Sequence, residues 1–399
     1  MSLLDQLSDE GVWRRFYQYK LSLACPKDFT RQLETFIKEK RYLPVCELIR
    51  SGAPFPLPSR SVISKMGSEK KRVVYTYPPD ANAVLKLLTW LLLRRYDRLF
   101  SAGLYSFRPG RTAKDAVRSI LKAPRIFDMY AYKADIHDYF NSVPVERLLP
   151  LLHQAVGEDA ELYRFLSSLL LEPRVLDRGK VLEEQKGIMA GTPLSAFYAN
   201  LFLADLDRHF AEEKTVYARY SDDILLFSPT REEAEVQAAF IRRFLTDRSL
   251  QINPAKETFY SPGDPFVFLG FSCSRDRVDV APATLTKLKQ KMRRKRDGLA
   301  RWKKRNEADG KGAAKAFIRI FNRKLLESPR DNELSWSGWF FPVITTADSL
   351  HEIDLYAQDC LRYLIGGTHT KSRYNVRYQD LKALGYRSLV NAYYAHGEK

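Results

Sequence analysis

The chain has 399 residues, of which 45% are hydrophobic and 13% aromatic. This length supports two or three packed modules, and the composition excludes a disordered, collagen-like or low-complexity protein. Lys and Arg number 65 against 48 Asp and Glu, a formal net charge of +17, so a polyanion is the first partner to consider.

The cysteines form neither a zinc pattern nor a disulfide framework. All four lie far apart in the chain, at Cys25, Cys46, Cys273 and Cys360, and a reduced compartment is the simplest interpretation. The N-terminus has no basic start followed by an apolar core, and polar residues interrupt the apolar run at 83–93. We therefore expect a cytoplasmic protein with no export signal, membrane span or membrane partner.

The N-terminal part of the chain favours helices. Residues 4–50 place apolar side chains at helical spacing and end at a proline-rich stretch, residues 54–58, which predicts an N-terminal helical module. Residues 70–78 alternate as a half-buried strand does, after a basic turn. Residues 82–100 are a strong helix candidate.

From residue 130 the pattern becomes typical of an α/β chain. Residues 130–136 predict a strand that leads into a short helix, and residues 196–210 predict a long apolar helix. Residues 216–227 predict two strands around a tight turn. The local order is therefore a helix followed by a β-hairpin.

Positive charge is concentrated near the start of the C-terminal third. Between Lys287 and Lys324, sixteen Lys or Arg residues stand against three acidic ones. An apolar stripe runs beneath this charge at Leu285, Leu288, Met292, Leu299 and Trp302. The pattern predicts a helix that docks on a core and presents a basic face, which suits a phosphate backbone rather than base edges.

Two acidic positions far apart in the sequence lie at the ends of apolar strands. Asp135 closes the strand at 130–136, and Asp222 and Asp223 lie in the turn of the later hairpin. Adjacent carboxylates between apolar strands are costly unless a cation lies between them. Taken singly, the pair is more often a surface feature and Asp135 a helix cap, but together they suit two-metal phosphoryl transfer.

Six blocks in order resemble the bacterial reverse transcriptases of the group II intron and retron type. They lie at residues 104–117, 134–140, 187–201, 219–223, 252–258 and 268–271. Residues 189–191 read Met-Ala-Gly, whereas the intron and retron enzymes usually carry Pro-Gln-Gly there. The chain therefore looks most like the reverse transcriptases that are linked with phage defence or have no assigned role.

The resemblance implies the α/β fold of a right-hand polymerase, with an α+β palm. The expected division is an N-terminal helical module at 1–60, fingers at 61–128, a palm at 129–280 with a helical insertion at about 145–185, and a basic helical thumb at 281–399.

The resemblance also implies catalytic roles. Asp135, Asp222 and Asp223, assisted by the carbonyl of Ile136, are expected to hold two Mg²⁺ ions, with Mn²⁺ as the alternative metal. Lys256 matches the lysine that donates a proton to the leaving pyrophosphate. At residue 140, where RNA-directed RNA polymerases place a second Asp, this chain has Phe140, which speaks against that class.

Six residues are expected to bind the incoming nucleotide: Lys71, Arg72, Tyr139, Phe140, Gly191 and Pro193. Arg72 is preferred to Lys71 because a guanidinium contacts phosphate oxygens in bidentate fashion. Tyr139 occupies the position of the steric gate that excludes a ribose 2′-hydroxyl, although without the resemblance a core aromatic is the preferred interpretation.

Seven residues are expected to contact template or primer: Arg108, Arg111, Tyr220, Gly270, Arg293, Arg294 and Lys303. Arg108 and Arg111 flank a Pro-Gly turn and are expected to hold the template backbone or the triphosphate. The basic helix and those that follow it are expected to grip a duplex by its shape and its phosphates.

We therefore predict an RNA-directed DNA polymerase that binds an RNA template, an RNA/DNA duplex and deoxynucleoside triphosphates. A dedicated non-coding RNA or a protein from a neighbouring gene is the expected partner, a role in phage defence follows from the resemblance alone, and oligomerisation stays open. Two alternatives remain: a maturase-like RNA-binding chaperone, and an untemplated or protein-primed DNA polymerase.

Overall fold

The structure is a computed structural model that describes residues 2–23, 25, 27–64, 71–184, 187–327 and 335–397. The chain forms two compact units that divide between Asp264 and Pro265. Within the described ranges, no helix has both the length and the apolar character that crossing a membrane requires.

Helices dominate the start of the first unit, as the apolar spacing predicts. Three helices, α1 (Glu10–Ser22), α2 (Lys27–Lys38) and α3 (Tyr42–Ser51), precede a β-hairpin, and α4 (Pro79–Arg95) follows it. Helix α4 starts three residues earlier than predicted because Pro79 suits the first helical turn. Trp13 and Leu88 lie in the continuous core of this unit.

The predicted strand at 70–78 is confirmed, and it belongs to a sheet of four. Strand β2 (Lys71–Thr76) pairs with β1 (Ser59–Ser64), and β1 pairs with β4 (Arg174–Asp177), which pairs with β5 (Lys180–Glu183). After β2 and α4 come α5 (Ala113–Leu121) and the strand β3 (Tyr130–Asp135).

The insertion predicted as helical at 145–185 is helical only in its first part. After α6 (Tyr139–Ser142), helices α7 (Val145–Val156) and α8 (Ala160–Leu171) are followed by the hairpin of β4 and β5. Its turn residues Arg178 and Gly179 both have positive φ, at 52° and 82°, as a two-residue type I′ turn requires. The helical part of the insertion ends with α8 at Leu171, and this hairpin follows it.

A second four-stranded sheet carries the predicted hairpin. Strands β6 (Val216–Tyr220) and β7 (Asp223–Ser228) confirm the two predicted strands, and the order of this sheet is β6, β7, β3, β8, where β8 is Thr258–Tyr260. The long helix predicted at 196–210 is two helices, α9 (Ser195–Phe202) and α10 (Ala204–Glu212), because Leu203 leaves helical geometry at φ −111° and ψ 12°. Helix α11 (Arg231–Asp247) follows β7.

The second unit begins with short strands and continues as helices. Strands β9 (Phe266–Phe268), β10 (Phe271–Cys273) and β11 (Val278–Val280) form an antiparallel sheet. The helices are α12 (Pro282–Arg305), α13 (Gly310–Leu325), α14 (Trp336–Phe340), α15 (Asp348–Gly366), α16 (Tyr378–Ala383) and α17 (Leu389–Gly397). Helices α12, α13 and α15 pack against one another.

The predicted apolar stripe of α12 is present but shorter than expected. Leu285, Met292 and Leu299 are buried at a seven-residue spacing, and this spacing keeps them on one helix face. Trp302 was predicted to share that face, yet it is 42% exposed. Trp302 lies three residues after Leu299 in the last turn of α12, where much of its ring remains exposed.

Candidate active site

The second sheet brings the three predicted carboxylates together. Asp135 at the end of β3 is the direct cross-strand partner of Asp223 at the start of β7. The backbone N–H of Ile136 donates a hydrogen bond to the carbonyl of Asp222 at 3.0 Å. All three carboxylates therefore lie at one edge of the sheet, on the turn and on the strand beside it.

Burial disfavours the ionised form of two of these carboxylates. It raises the pKa of Asp222, and the negative charge of Asp135 raises it further. Burial likewise raises the pKa of Asp223 to about 6, although the nearby Lys133 opposes the rise. The site therefore holds negative charge at a cost in free energy, which a cation would relieve.

Two lysines supply positive charge to this cluster. Lys133 Nζ lies 3.6 Å from an oxygen of Asp223, and Lys256 Nζ lies 2.5 Å from an oxygen of Asp135. Lys256 reaches the site from a short 3₁₀ turn, Pro254–Lys256, whose preceding residue Asn253 donates its N–H to the carbonyl of Asp135 at 2.7 Å. The predicted proton donor thus lies beside the predicted metal ligands.

The donor set fits a divalent cation in its chemistry. Mg²⁺ prefers oxygen ligands, and carboxylates are its usual protein ligands. Among the residues that the structure describes, no three His, Cys, Asp or Glu side chains already surround a single point closely enough to hold a metal. Asp135 and Asp223 are each paired with a lysine instead, so these carboxylates are balanced by cationic side chains.

The turn that carries Asp222 is held by residues that the sequence did not single out. Ser221 has a φ of 60°, as the first central residue of a type II′ turn requires. Its N–H donates to Ser106 Oγ at 2.8 Å, and Ser106 Oγ donates to Asn200 Oδ1 at 3.3 Å. Asn200 Nδ2 returns a bond to the carbonyl of Ser106 at 2.9 Å. Residues from three of the six sequence blocks, 104–117, 187–201 and 219–223, therefore meet at this turn.

A buried ion pair lies behind the same turn. Arg219 and Asp207 are fully buried and form two bonds of 2.6 and 2.7 Å, and Tyr217 donates its hydroxyl proton to Asp207. Arg219 also donates to the carbonyl of Ser221 at 3.0 Å. No local pattern indicates this pair, because its partners come from α10 and β6.

The two adjacent aromatics after Asp135 point in different directions. Tyr139 is only 1% exposed, and its hydroxyl donates to the carbonyl of Ala199 at 2.6 Å. The ring of Tyr139 therefore belongs to the core, which does not suit its predicted gate role. Phe140 is only partly buried and makes an edge contact with Phe107.

The loop at 187–195 lies against β2. The carbonyl of Ala190 accepts the N–H of Tyr75 at 2.8 Å. Gly191 has a φ of 98°, and a Cβ there would lie 3.1 Å from the carbonyl oxygen of Tyr75, so a larger residue is excluded. Pro193 is partly buried.

Arg72 is exposed on β2, and its charge opposes the rise in the pKa of Asp222. The predicted nucleotide contact Arg72 is therefore near the carboxylates. The side chain of the other predicted contact, Lys71, lies outside the described part of the chain.

The two arginines around the Pro-Gly turn differ in their burial and in their bonding partners. Arg108 is buried and uses its guanidinium on Asp97, with bonds of 2.7 and 2.9 Å, and on the carbonyl of Ser101 at 2.6 Å. These bonds engage the guanidinium of Arg108 in the fold, which does not suit its predicted role at the template. Arg111 is partly exposed, lies over the ring of Tyr105 and donates to a backbone carbonyl.

The remaining predicted template and primer contacts differ in exposure. Tyr220, on β6 before the turn, is partly buried, and burial raises its pKa. Arg293 and Arg294 are exposed on α12. Lys303 was predicted to contact nucleic acid, but it is partly buried and donates to the carbonyl of Leu364 at 3.1 Å. That ammonium therefore interacts with the last turn of α15.

Gly270, the last of these predicted contacts, lies between β9 and β10. It has a φ of 87°, and a Cβ there would lie 3.3 Å from the ring of Phe340 and 3.4 Å from Thr284 Oγ1. Its N-terminal neighbour Leu269 accepts a bond from the indole of Trp339. The left-handed backbone, more than the packing, therefore favours glycine at this position.

A family model described as reverse transcriptase (RNA-dependent DNA polymerase) matches residues 63–273. The match covers more than half of the chain, and the chain belongs to the reverse transcriptase family. The predicted RNA-directed DNA polymerase domain and the α/β class of right-hand polymerases are thereby confirmed.

The relatives found by sequence and by structure are distant. The chain is 28% identical over 165 residues to an uncharacterized 91 kDa protein in the cob intron of Schizosaccharomyces pombe. The aligned residues make up 40% of this chain and 20% of that protein. The chain thus spans about a fifth of the length of this curated relative.

Two solved structures are similar in fold, both with a TM-score of 0.46. Apo telomerase from Candida tropicalis, truncated from its C-terminal domain, is 12% identical over 57% of this chain and 55% of that one. Telomerase from Candida albicans in complex with a fragment of telomeric RNA is 11% identical over 84% of this chain and 67% of that one.

Proposed function

We propose that this chain copies an RNA template into DNA by two-metal nucleotidyl transfer. The observation that carries the proposal is the cross-strand pair of Asp135 and Asp223 with Asp222 in the adjoining turn, in a chain of the reverse transcriptase family. Nothing in RNA binding alone requires three carboxylates clustered at one sheet edge, because phosphates repel them.

The cations belong to this carboxylate edge. Asp135, Asp222 and Asp223, with the carbonyl of Ile136, are the proposed ligands of two Mg²⁺ ions or of Mn²⁺. When bound, such ions activate the attacking hydroxyl and stabilise the charge on the triphosphate. Lys256 lies beside Asp135 and is the proposed proton donor to pyrophosphate.

The incoming deoxynucleotide is proposed to lie between β2 and α6. Arg72 would contact its phosphates, and Gly191 would allow the backbone to approach closely. Phe140 replaces Tyr139 as the proposed gate, since it is the aromatic of the pair that keeps an accessible ring. An aromatic ring beneath the sugar would clash with a ribose 2′-hydroxyl.

Nucleic acid is the proposed macromolecular partner. The exposed Arg293 and Arg294 of α12, with the net charge of +17, suit the phosphates of a template–primer duplex. The proposal also includes a bacterial origin, a role in phage defence and a dedicated non-coding RNA or neighbouring-gene protein as partner, all supported by the sequence resemblance alone. A cytoplasmic location is proposed from the four scattered cysteines, which suit a reduced compartment.

The deciding experiment is incorporation of labelled deoxynucleotides by the purified chain with Mg²⁺, on primed RNA and on co-purified nucleic acid. We expect the double variant Asp222→Asn/Asp223→Asn to lose at least a thousandfold of the activity, because two ligand charges disappear. The matched control is Glu232→Gln/Glu233→Gln, two adjacent exposed carboxylates on α11, which should retain activity.

Other outcomes select the alternatives. Tight RNA binding without incorporation on either substrate would favour a maturase-like chaperone. Labelled DNA that stays attached to protein after phenol extraction would favour a protein-primed polymerase, and incorporation without any template would favour an untemplated one. Equal activity in the Asp222→Asn/Asp223→Asn variant and the wild type would contradict the proposed carboxylate chemistry.

A further inference from the structure

Residues 103–107 run beside the strand that leads to the catalytic turn. Arg219 N donates to the carbonyl of Gly103 at 2.8 Å, and Tyr105 N donates to the carbonyl of Arg219 at 3.0 Å, so the segment is held parallel to β6. One residue later, Ser106 Oγ accepts the N–H of Ser221. The backbone on this side of the turn is thus fixed at several successive residues.

Phe107 is the member of this segment that faces outward. Its neighbours Ser106 and Arg108 are buried and fully engaged in hydrogen bonds, whereas Phe107 is 39% exposed. It also has a φ of 58°, a left-handed conformation that is unfavourable for a bulky side chain. An exposed apolar ring on a strained backbone contributes little to folding, which points to a role at the site.

The ring of Phe107 contacts Phe140. The two ring centroids are 6.3 Å apart with planes at 84°, the edge-to-face geometry that aromatic pairs prefer. The backbone of Phe140 is fixed independently, because its carbonyl accepts the N–H of Ile188 at 2.9 Å. Phe140 also contacts the buried ring of Tyr139. It therefore packs against one core ring and one exposed ring.

We propose that Phe107 is a positioning residue for sugar selection: its ring holds Phe140 in the orientation that rejects a ribose 2′-hydroxyl. The inference rests on the proposed function and extends it to a residue outside the carboxylate site. Removal of the Phe107 ring leaves Phe140 free to rotate toward the space it vacates, so a ribonucleotide is admitted more readily while phosphate and metal contacts are unchanged.

The test compares kcat/KM for a deoxynucleotide with kcat/KM for the matching ribonucleotide, on primed RNA, in single variants and in a double-variant cycle. We expect Phe107→Ala to lower the preference for the deoxynucleotide roughly three- to tenfold, the scale of one aromatic pair. Phe107→Tyr should retain the preference, because its ring is conserved. Phe140→Ala should lower the preference most, and Phe107→Ala should add nothing in that background.

Phe259→Ala is the matched control, and it should keep the wild-type ratio. Phe259 is an exposed phenylalanine on β8 that packs against Tyr132 in the same unit. Phe107→Leu, with its melting temperature, serves as a second variant if the alanine variant is poorly folded. An unchanged sugar ratio in folded, active Phe107 variants overturns this inference alone. An additive effect in the double variant also overturns it, and a wild type that incorporates no nucleotide overturns the proposed function as well.

Discussion

Asp223 makes folding sensitive to pH. Its pKa rises from 3.8 to about 6 on folding, so the folded state binds this proton more tightly than the unfolded state does. The bound proton stabilises the folded state fully below pH 4, and this stabilisation is lost as the pH rises through 6. The ionised carboxylate therefore costs about 1–3 kcal/mol at pH 8.

Asp223→Asn should consequently be more stable than the wild type at pH 8 in the presence of a chelator. The difference should shrink toward zero near pH 4, where the wild-type carboxyl is also neutral. Chemical unfolding at the two pH values measures it, and Glu232→Gln on the exposed face of α11 is the control. A stability difference that is equal at both pH values would contradict the assigned cause.

The buried pair of Arg219 and Asp207 supports the turn from behind. Asp207→Asn leaves the guanidinium of Arg219 buried without a countercharge, and we expect a loss of about 3–5 kcal/mol in the free energy of unfolding. Urea denaturation measures this loss. The exposed pair of Arg231 and Glu235 is the comparison, and Glu235→Gln should leave the midpoint unchanged. Similar midpoints for the two variants would show that the buried pair carries no special weight.

At the scale of elements, α12 carries an outward stripe of cations. Four exposed basic residues share the side of the helix opposite its buried apolar face: Lys287, Arg294, Arg301 and Arg305. They span 19 residues, or about 27 Å of helix, which suits a run of phosphates along a duplex. Such a surface contributes affinity through the release of counterions rather than through base contacts.

Replacing these four residues by Gln should weaken binding of an RNA/DNA duplex similarly for all sequences. The slope of log affinity against log salt should fall in magnitude by about 3–4, since each phosphate contact contributes about 0.9. Fluorescence anisotropy from 50 to 300 mM salt measures the slope.

The matched control removes four exposed charges from the N-terminal helices: Arg14, Arg15, Arg31 and Lys38. That variant should keep the wild-type slope. If both variants lower the slope equally, the net charge of the chain is responsible and the stripe has no separate role.

For the whole molecule, the main difference from the predicted division lies at residues 266–280. The sequence placed these strands with the palm, but they form a sheet within the second compact unit. Backbone bonds link this sheet to its own unit: Thr345 N donates to the carbonyl of Val278 at 2.9 Å, and Ala281 N donates to the carbonyl of Gly270 at 2.8 Å. The four-part division into N-terminal module, fingers, palm and thumb stays a prediction.

The sequence by itself determined the features that are local. The hairpin of β6 and β7 with its aspartates, the strand that ends at Asp135 and the basic helix α12 all follow from alternation, helical spacing or charge within one short segment. The order of the six blocks likewise identified the family, since it depends only on position along the chain.

Only the tertiary structure decided the roles that depend on distant partners. Tyr139 and Phe140 are neighbouring aromatic residues, yet only Tyr139 is held in the core, where its hydroxyl donates to the carbonyl of Ala199, 60 residues away. Ser106 reaches the catalytic turn across 115 residues, and no periodicity extends that far. Which polar atoms are bonded within the fold is settled only when the elements pack together.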